Sequence, residues 1–299
     1  ERYYGLSLAL QVVEVRRQVL EGMQHHLADA KALEANGIIA KGERLYAEVH
    51  TAEAEREYLA AQKTAATLNS ALCNTLNAET TYQPISSMFI LSQIEDVDHF
   101  KQLALNNNPQ LRQVGLKKDL AVEGVRLQRA DFAPQVALMG GASFYNYQVT
   151  PLMPRWAVGA GVSFKIFDGL NREYKFSAAK SQVRQVEALN VKAQHDILTL
   201  IDKLYNEMTT YNEQLPSIDA AYNFAAEYLR IKEEAFKEGA APSSDVVDAQ
   251  LNLAKIKTER LQAAYYYDLM LARLLEACGE SEMLTEYARR PAAMPIRYE

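Results

Sequence analysis

Apolar positions recur at helical spacing along most of the chain, and the pattern is clearest in residues 245–278. There, Val247, Leu251, Ala254, Thr258, Leu261, Tyr265, Ala272 and Leu275 form one row, with Asp268 as its defect. Val246, Ala249, Leu253, Ile256, Ala263, Tyr267, Met270, Leu274 and Ala277 form a second, with Arg260 as its defect. At ~100° per residue the rows lie roughly 130° apart. A helix with one row makes a two-stranded coiled coil, and a helix with two touches a neighbour on each side, as in a sheet or barrel of helices. A buried helix of a soluble bundle carries similarly broad apolar cover.

The same periodicity places the other helices. Residues 1–36 are rich in Ala, Leu, Glu and Gln, all good helix formers. The stretch "NGIIAKGE" (36–43) interrupts them with two glycines, and helix resumes from Glu43 to Leu76. A Thr-, Ser- and Pro-containing loop follows at 77–87. A helix is expected over 97–133, restarting at Asn108–Pro109, because Asn caps a helix and Pro suits its first position. From 169 to 238 the pattern is unbroken, a length of ~105 Å at 1.5 Å per residue, with a kink expected at Pro216. A turn over 239–244 leads into the helix 245–278, and 280–299 reads as a tail.

Only one region alternates with period two. In "WAVGAGVSFKIF" (156–167), Trp156, Val158, Ala160, Val162, Phe164 and Ile166 share one face. The other face carries small or polar residues. In "QVALMGGASFYNY" (135–147), Val136, Leu138, Ala142 and Phe144 oppose Gln135, Gly141, Ser143 and Tyr145. Each run exceeds the ~9–11 residues with which a tilted strand crosses a bilayer, and aromatics stand near both ends, as in an interfacial girdle. A soluble hairpin with one face on a helical core fits the same alternation.

Composition narrows the classes. Hydrophobic residues make up 48% and charged residues 23%, as in a folded chain. A net charge of -6 excludes a general nucleic-acid binder, which needs a basic face. The two cysteines, Cys73 and Cys278, are too few for a disulfide scaffold and have no zinc-ligand spacing; both a single disulfide and two packed thiols remain open. Five histidines fall in no metal motif, and the adjacent His25 and His26 point to different faces of a helix. No nucleotide loop or nucleophile motif occurs. The expectation is a non-enzymatic protein with no cofactor and no metal.

A shift of 202 residues superimposes part of the chain on itself. Gly37 falls on Gly239, Glu43 on Asp245, Ala47 on Ala249, Leu59 on Leu261 and Leu72 on Leu274. Each copy is helix, glycine turn, returning helix, which indicates duplication of a large unit. The first copy is 1–96, with its turn near 37–43; the second is 97–279. The offset also predicts that helix 169–238 and the hairpin before it have counterparts ahead of residue 1, along with any signal peptide.

Three stretches in order resemble the TolC-like outer-membrane efflux channels: "ALNNNPQLRQVGLKKDLAVEGVRLQRADFAPQVALMGGASFYN" (104–146), "FKIFDGLNR" (164–172) and "FKEGAAPSSDVVDAQLNLAKIKTERLQAAYYYDLMLARLLEACG" (236–279). The resemblance implies a mainly α fold. Long antiparallel coiled-coil helices would form the wall of a periplasmic α-barrel. The hairpin, with Val136, Leu138, Phe144, Trp156, Val158, Val162 and Phe164 facing lipid, would contribute to a trimeric outer-membrane β-barrel. Such a homotrimer serves a periplasmic adaptor and an inner-membrane pump as a passive export duct. Gly37, Ile38, Lys41, Gly239, Ala240, Ala241 and Ser243 would form the turns where the adaptor docks. Gly239 would take the left-handed conformation, and Ser243 or Ser244 would cap the returning helix. Asp245 and Asp248 match acidic positions around the family's entrance, and three copies of each would make cation-selecting rings, with Glu43 as the first-repeat counterpart of Asp245; helix capping alone also accounts for Asp245. The arginine that some members carry after the tip glycine is replaced here by Ala240–Ala241, with Lys41 as a substitute in the latch. The alternative from another class is a non-conducting periplasmic helical scaffold.

Overall fold

The computed structural model describes residues 1–78, 81–142 and 156–296. It divides into two units: Glu1–Ala104 with Thr199–Glu299, and Leu105–Leu198.

In the first unit, α1 (Arg2–Ala35) packs along α2 (Lys41–Leu76). Between them they bury Leu6, Val15, Val19, Met23, Ala30, Ala47, Ala54 and Leu72. Helix α3 (Val97–Asn107) lies here up to Ala104. The long helix α5 (Asn171–Lys237) enters this unit at Thr199 and continues through Pro216, which was expected to kink it. Its buried residues in this unit include Ile201, Leu204, Met208 and Leu215, a coiled-coil spacing. Helix α6 (Ser243–Ala277) contacts both α1 and α2.

The two defects in the rows of α6 have partners. Arg260 Nε donates to Asp219 Oδ1 of α5 at 2.7 Å. Asp268 is fully buried, and its Oδ2 accepts the backbone N–H of Phe89 at 3.2 Å. Phe89 belongs to strand β1 (Met88–Leu91), which follows the expected loop 77–87 where no strand was expected, and pairs antiparallel with β4 (Ala293–Ile296). Residues 281–296 therefore return to the helical core through a 3-10 turn (Ser281–Met283) and α7 (Leu284–Arg289), rather than trailing away from it. Four-residue strands are too short to show a period, and a proline such as Pro295 is disfavoured within a strand. Both cysteines are free thiols; Cys278 is buried and donates to the Phe100 carbonyl at 3.4 Å.

The 202-residue offset is visible in the backbone. Gly37 and Gly239 have φ of +73° and +72°. The N–H groups of Gly37 and Ile38 bond the Glu34 and Leu33 carbonyls, and those of Gly239 and Ala240 bond the Phe236 and Ala235 carbonyls. That double bond is the Schellman ending of a helix. Ala40 and Pro242 are both extended N-caps. At the far ends, Asn77 and Gly279 are both left-handed. Every one of these pairs is separated by the same interval.

In the second unit, α4 (Pro109–Ala130) starts as expected: Asn108 Oδ1 accepts the Leu111 N–H at 2.9 Å, and Pro109 takes the first turn. It ends three residues short of 133. Lys118 reaches Glu187 of α5 at 3.4 Å, and Arg172 lies over the Phe132 ring at 5.2 Å. Strand β2 (Gln135–Ala142) pairs antiparallel with β3 (Trp156–Ser163). The register sets Val136 opposite Val162, Leu138 opposite Ala160 and Ala142 opposite Trp156, so the apolar rows of both strands share one face. Phe164 lies one residue past the end of β3, outside the strand it was expected to extend. Phe144 lies outside the described residues.

Candidate functional site

The site is built from the two helix-hairpin turns, which are brought together in the first unit. Ala30 of α1, Ala47 of α2, Phe236 of α5 and Val246 of α6 form one buried cluster, edged by Leu27, Leu33, Ile39 and Leu229. The turns touch closely enough that a Cβ on Gly239 would lie 2.9 Å from Ile38 Cγ2.

Polar links tie all four helices around this cluster. Arg44 of α2 bonds Glu34 of α1 at 2.5 Å. Lys237 of α5 lies 3.7 Å from Asp29 of α1. Lys232 of α5 bonds Asp245 of α6 at 2.6 Å, and this carboxylate holds the ammonium above its ordinary pKa. Lys41 is exposed and takes no part in these links.

Ser243 was expected to cap α6 or to meet a docking partner. Instead Pro242 holds the N-cap position, and Ser243 is the first helical residue, fully buried. Its backbone N–H, one of the orphan donors of a helix start, donates to Glu43 Oε2 of α2 at 2.6 Å. Its hydroxyl lies 2.6 Å from His26 Nε2 of α1. The imidazole is buried, with its ring centroid 4.4 Å from that of Phe236. Burial holds His26 below its ordinary pKa, against the opposing pull of Asp29 and Glu43. The adjacency of His25 and His26 gave the facing of each ring but not this contact, which joins residues 217 apart in sequence.

Of the three acidic candidates, Glu43 is therefore occupied by Ser243 and Asp245 by Lys232, while Asp248 is exposed. Gly37, Ile38, Gly239 and Ala240 are exposed and Ala241 is half-buried. Beside them on α2, Leu45, Tyr46 and Val49 are also exposed.

The strand pair in the other unit is open on both faces. Val136 is 70% exposed, Leu138 82%, Trp156 71%, Val158 76% and Val162 71%. Its greasy face does not pack on a helical core of this chain. Among the described residues, no helix is long and apolar enough to cross a membrane.

The profile of the Outer membrane efflux protein family matches residues 101–280, more than half of the chain. The chain belongs to this family. Its members are efflux channels of the bacterial outer membrane, extending into the periplasm, and not enzymes. One relative is the outer membrane protein TolC of Vibrio cholerae, 24% identical over 173 residues, which are 56% of this chain and 39% of that protein. The matched segment thus spans well under half the length of that relative. Among solved structures, the outer membrane protein VceC of Vibrio cholerae superimposes with a TM-score of 0.75 at 18% identity, over 93% of this chain and 68% of that one. The CmeC outer membrane channel of Campylobacter jejuni gives 0.74 at 15% identity, over 96% and 64%. At these identities the structures establish the fold.

Proposed function

We propose that the chain is part of an export channel: a homotrimer whose strand pairs join an outer-membrane β-barrel and whose helices form a duct through the periplasm, working with a periplasmic adaptor and an inner-membrane pump. The observation that carries this reading is the hairpin. Its two strands align their apolar residues on one face, and that face is exposed. An isolated two-stranded hairpin is marginal in water, and a large exposed apolar face marks an interaction surface. Lipid on one side and further strands along its edges meet both needs. Several solved structures of similar fold, CmeC and OprN among them, are outer-membrane channels.

In this reading the hairpin turns form the periplasmic entrance. Asp248 is the carboxylate left for an acidic ring, because Glu43 and Asp245 are engaged within the protomer. The exposed Ile38, Lys41, Leu45, Tyr46 and Val49 offer the adaptor its surface.

The test is conductance of the full-length protein in a planar bilayer. A cation-selective current that loses its selectivity in Asp248→Asn, and largely keeps it in Asp245→Asn, is expected. Well-inserted trimers that pass no current would overturn the channel and leave a non-conducting scaffold.

A further inference from the structure

At the turns, the polar ties from the first hairpin to the first turn of α6 run through Ser243, beside the apolar packing of Val246 with Ala30 and Ala47. Ser243 uses its N–H on Glu43 and its hydroxyl on His26. The next polar ties between these elements lie further along α6, where Gln250 bonds the Val19 carbonyl at 3.4 Å and Lys257 bonds Gln18 at 3.1 Å. We propose that His26, Ser243 and Glu43 form an acid-sensitive clasp: with His26 neutral the clasp ties the two hairpins together at the tip, and a proton on the imidazole releases it. The inference rests on the reading of these turns as the channel entrance.

The surroundings of the ring decide the direction. On α5, Phe236 packs against it with the rings tilted, Lys237 faces Asp29, and the half-buried Glu233 is held above the ordinary carboxylate pKa chiefly by burial. On α1 the nearest acid is Asp29, which Lys237 already engages. On α2 it is Glu43, engaged by the Ser243 N–H. On α6, Asp245 is held by Lys232. An imidazolium that stays in place can still donate to the Ser243 hydroxyl oxygen, but its charge is then buried among acids already engaged by other partners; the two routes that relieve this cost both open the clasp. Drawing Glu43 to itself takes the acceptor away from Ser243, and a swing outward to water breaks the bond to the Ser243 hydroxyl. A buried charge left where the ring now sits is costly.

The sign follows. The folded tip favours neutral His26. The contribution is present above the unfolded value of about 6.5 and is lost as pH falls through the lower folded value. Residues at the turns then exchange and move more freely in acid.

Two readouts on the full-length trimer test this. The first is open probability in a planar bilayer between pH 7.5 and pH 5. Wild type should rise at least fivefold, with a midpoint below about 6.5. His26→Gln, which keeps a hydrogen-bonding group but does not titrate, should flatten the rise. Ser243→Ala should be open across the range. The second is hydrogen exchange of the amides of residues 243–247, which needs no conductance. Protection should fall over the same pH interval in wild type and stay level in His26→Gln. An exchange step that persists in His26→Gln, or that disappears only in Glu43→Gln, overturns the clasp. Absence of current at every pH with the exchange step intact overturns the channel reading and leaves the clasp standing.

Discussion

At the residue scale, the most constrained side chains are those whose polarity contradicts their place. Asp268 interrupts an apolar row, is fully buried, and keeps one oxygen on the Phe89 N–H while the other has no hydrogen-bond partner. Burial raises its pKa well above the ordinary carboxylate value. The unfolded chain gives up this proton near pH 4, whereas the folded chain holds it to higher pH. Its contribution to stability therefore falls as pH rises. Comparing thermal midpoints at pH 5 and pH 8, Asp268→Asn should improve relative to wild type at the higher pH. Asp268→Ala should lose about 1–3 kcal/mol by stranding a buried N–H. The tip glycines give a second test. Gly37 and Gly239 share a left-handed conformation, but only Gly239 faces a close neighbour, Ile38. An alanine in that conformation costs about 1–2 kcal/mol. Gly37→Ala should show that loss alone, and Gly239→Ala should exceed it in a denaturant titration.

At the element scale, α6 shows how a defect in a pattern is absorbed. Arg260 and Asp219 are each partly exposed, at 31% and 43%, so their ion pair is screened. A double-mutant cycle on Arg260→Ala and Asp219→Ala should return a coupling below about 1 kcal/mol. Leu274, fully buried on the same helix, should cost about 2–5 kcal/mol when cut to alanine. These elements also show what the sequence carries. The rows of α6, the cap at Asn108 and the 202-residue offset are local or periodic signals; the cap and the paired left-handed glycines stand in the backbone, while the first row of α6 is buried only in part, with Leu251 exposed. The contacts of His26, Glu43 and Asp268 join residues 179 to 217 positions apart. No spacing rule reaches that far. The cap was expected at Ser243 or Ser244, one or two positions past its place, because a serine before a helix is the ordinary N-cap. Here the extended Pro242 takes that position, and a carboxylate from another helix supplies the missing acceptor.

At the scale of the whole molecule, the hairpin and the helices ask for different solvents. The helices of the first unit bury apolar residues against one another, whereas β2 and β3 expose theirs. The two faces of the hairpin are consequently unequal in what they tolerate. Val158 stands on the apolar row with Val136, Leu138 and Val162, and Gly159 stands on the small face opposite Met139. If lipid covers the apolar face, a lysine there costs about 2–4 kcal/mol near the middle of the bilayer. Val158→Lys should therefore reduce the yield of membrane-inserted trimer severalfold, measured by extraction from outer-membrane fractions, while Gly159→Ser leaves it near wild type. Each change introduces one polar group into an exposed strand. In water the two would be nearly equivalent, so the asymmetry itself reports which face meets the membrane. Equal yields would return the hairpin to the aqueous phase, and the barrel with it.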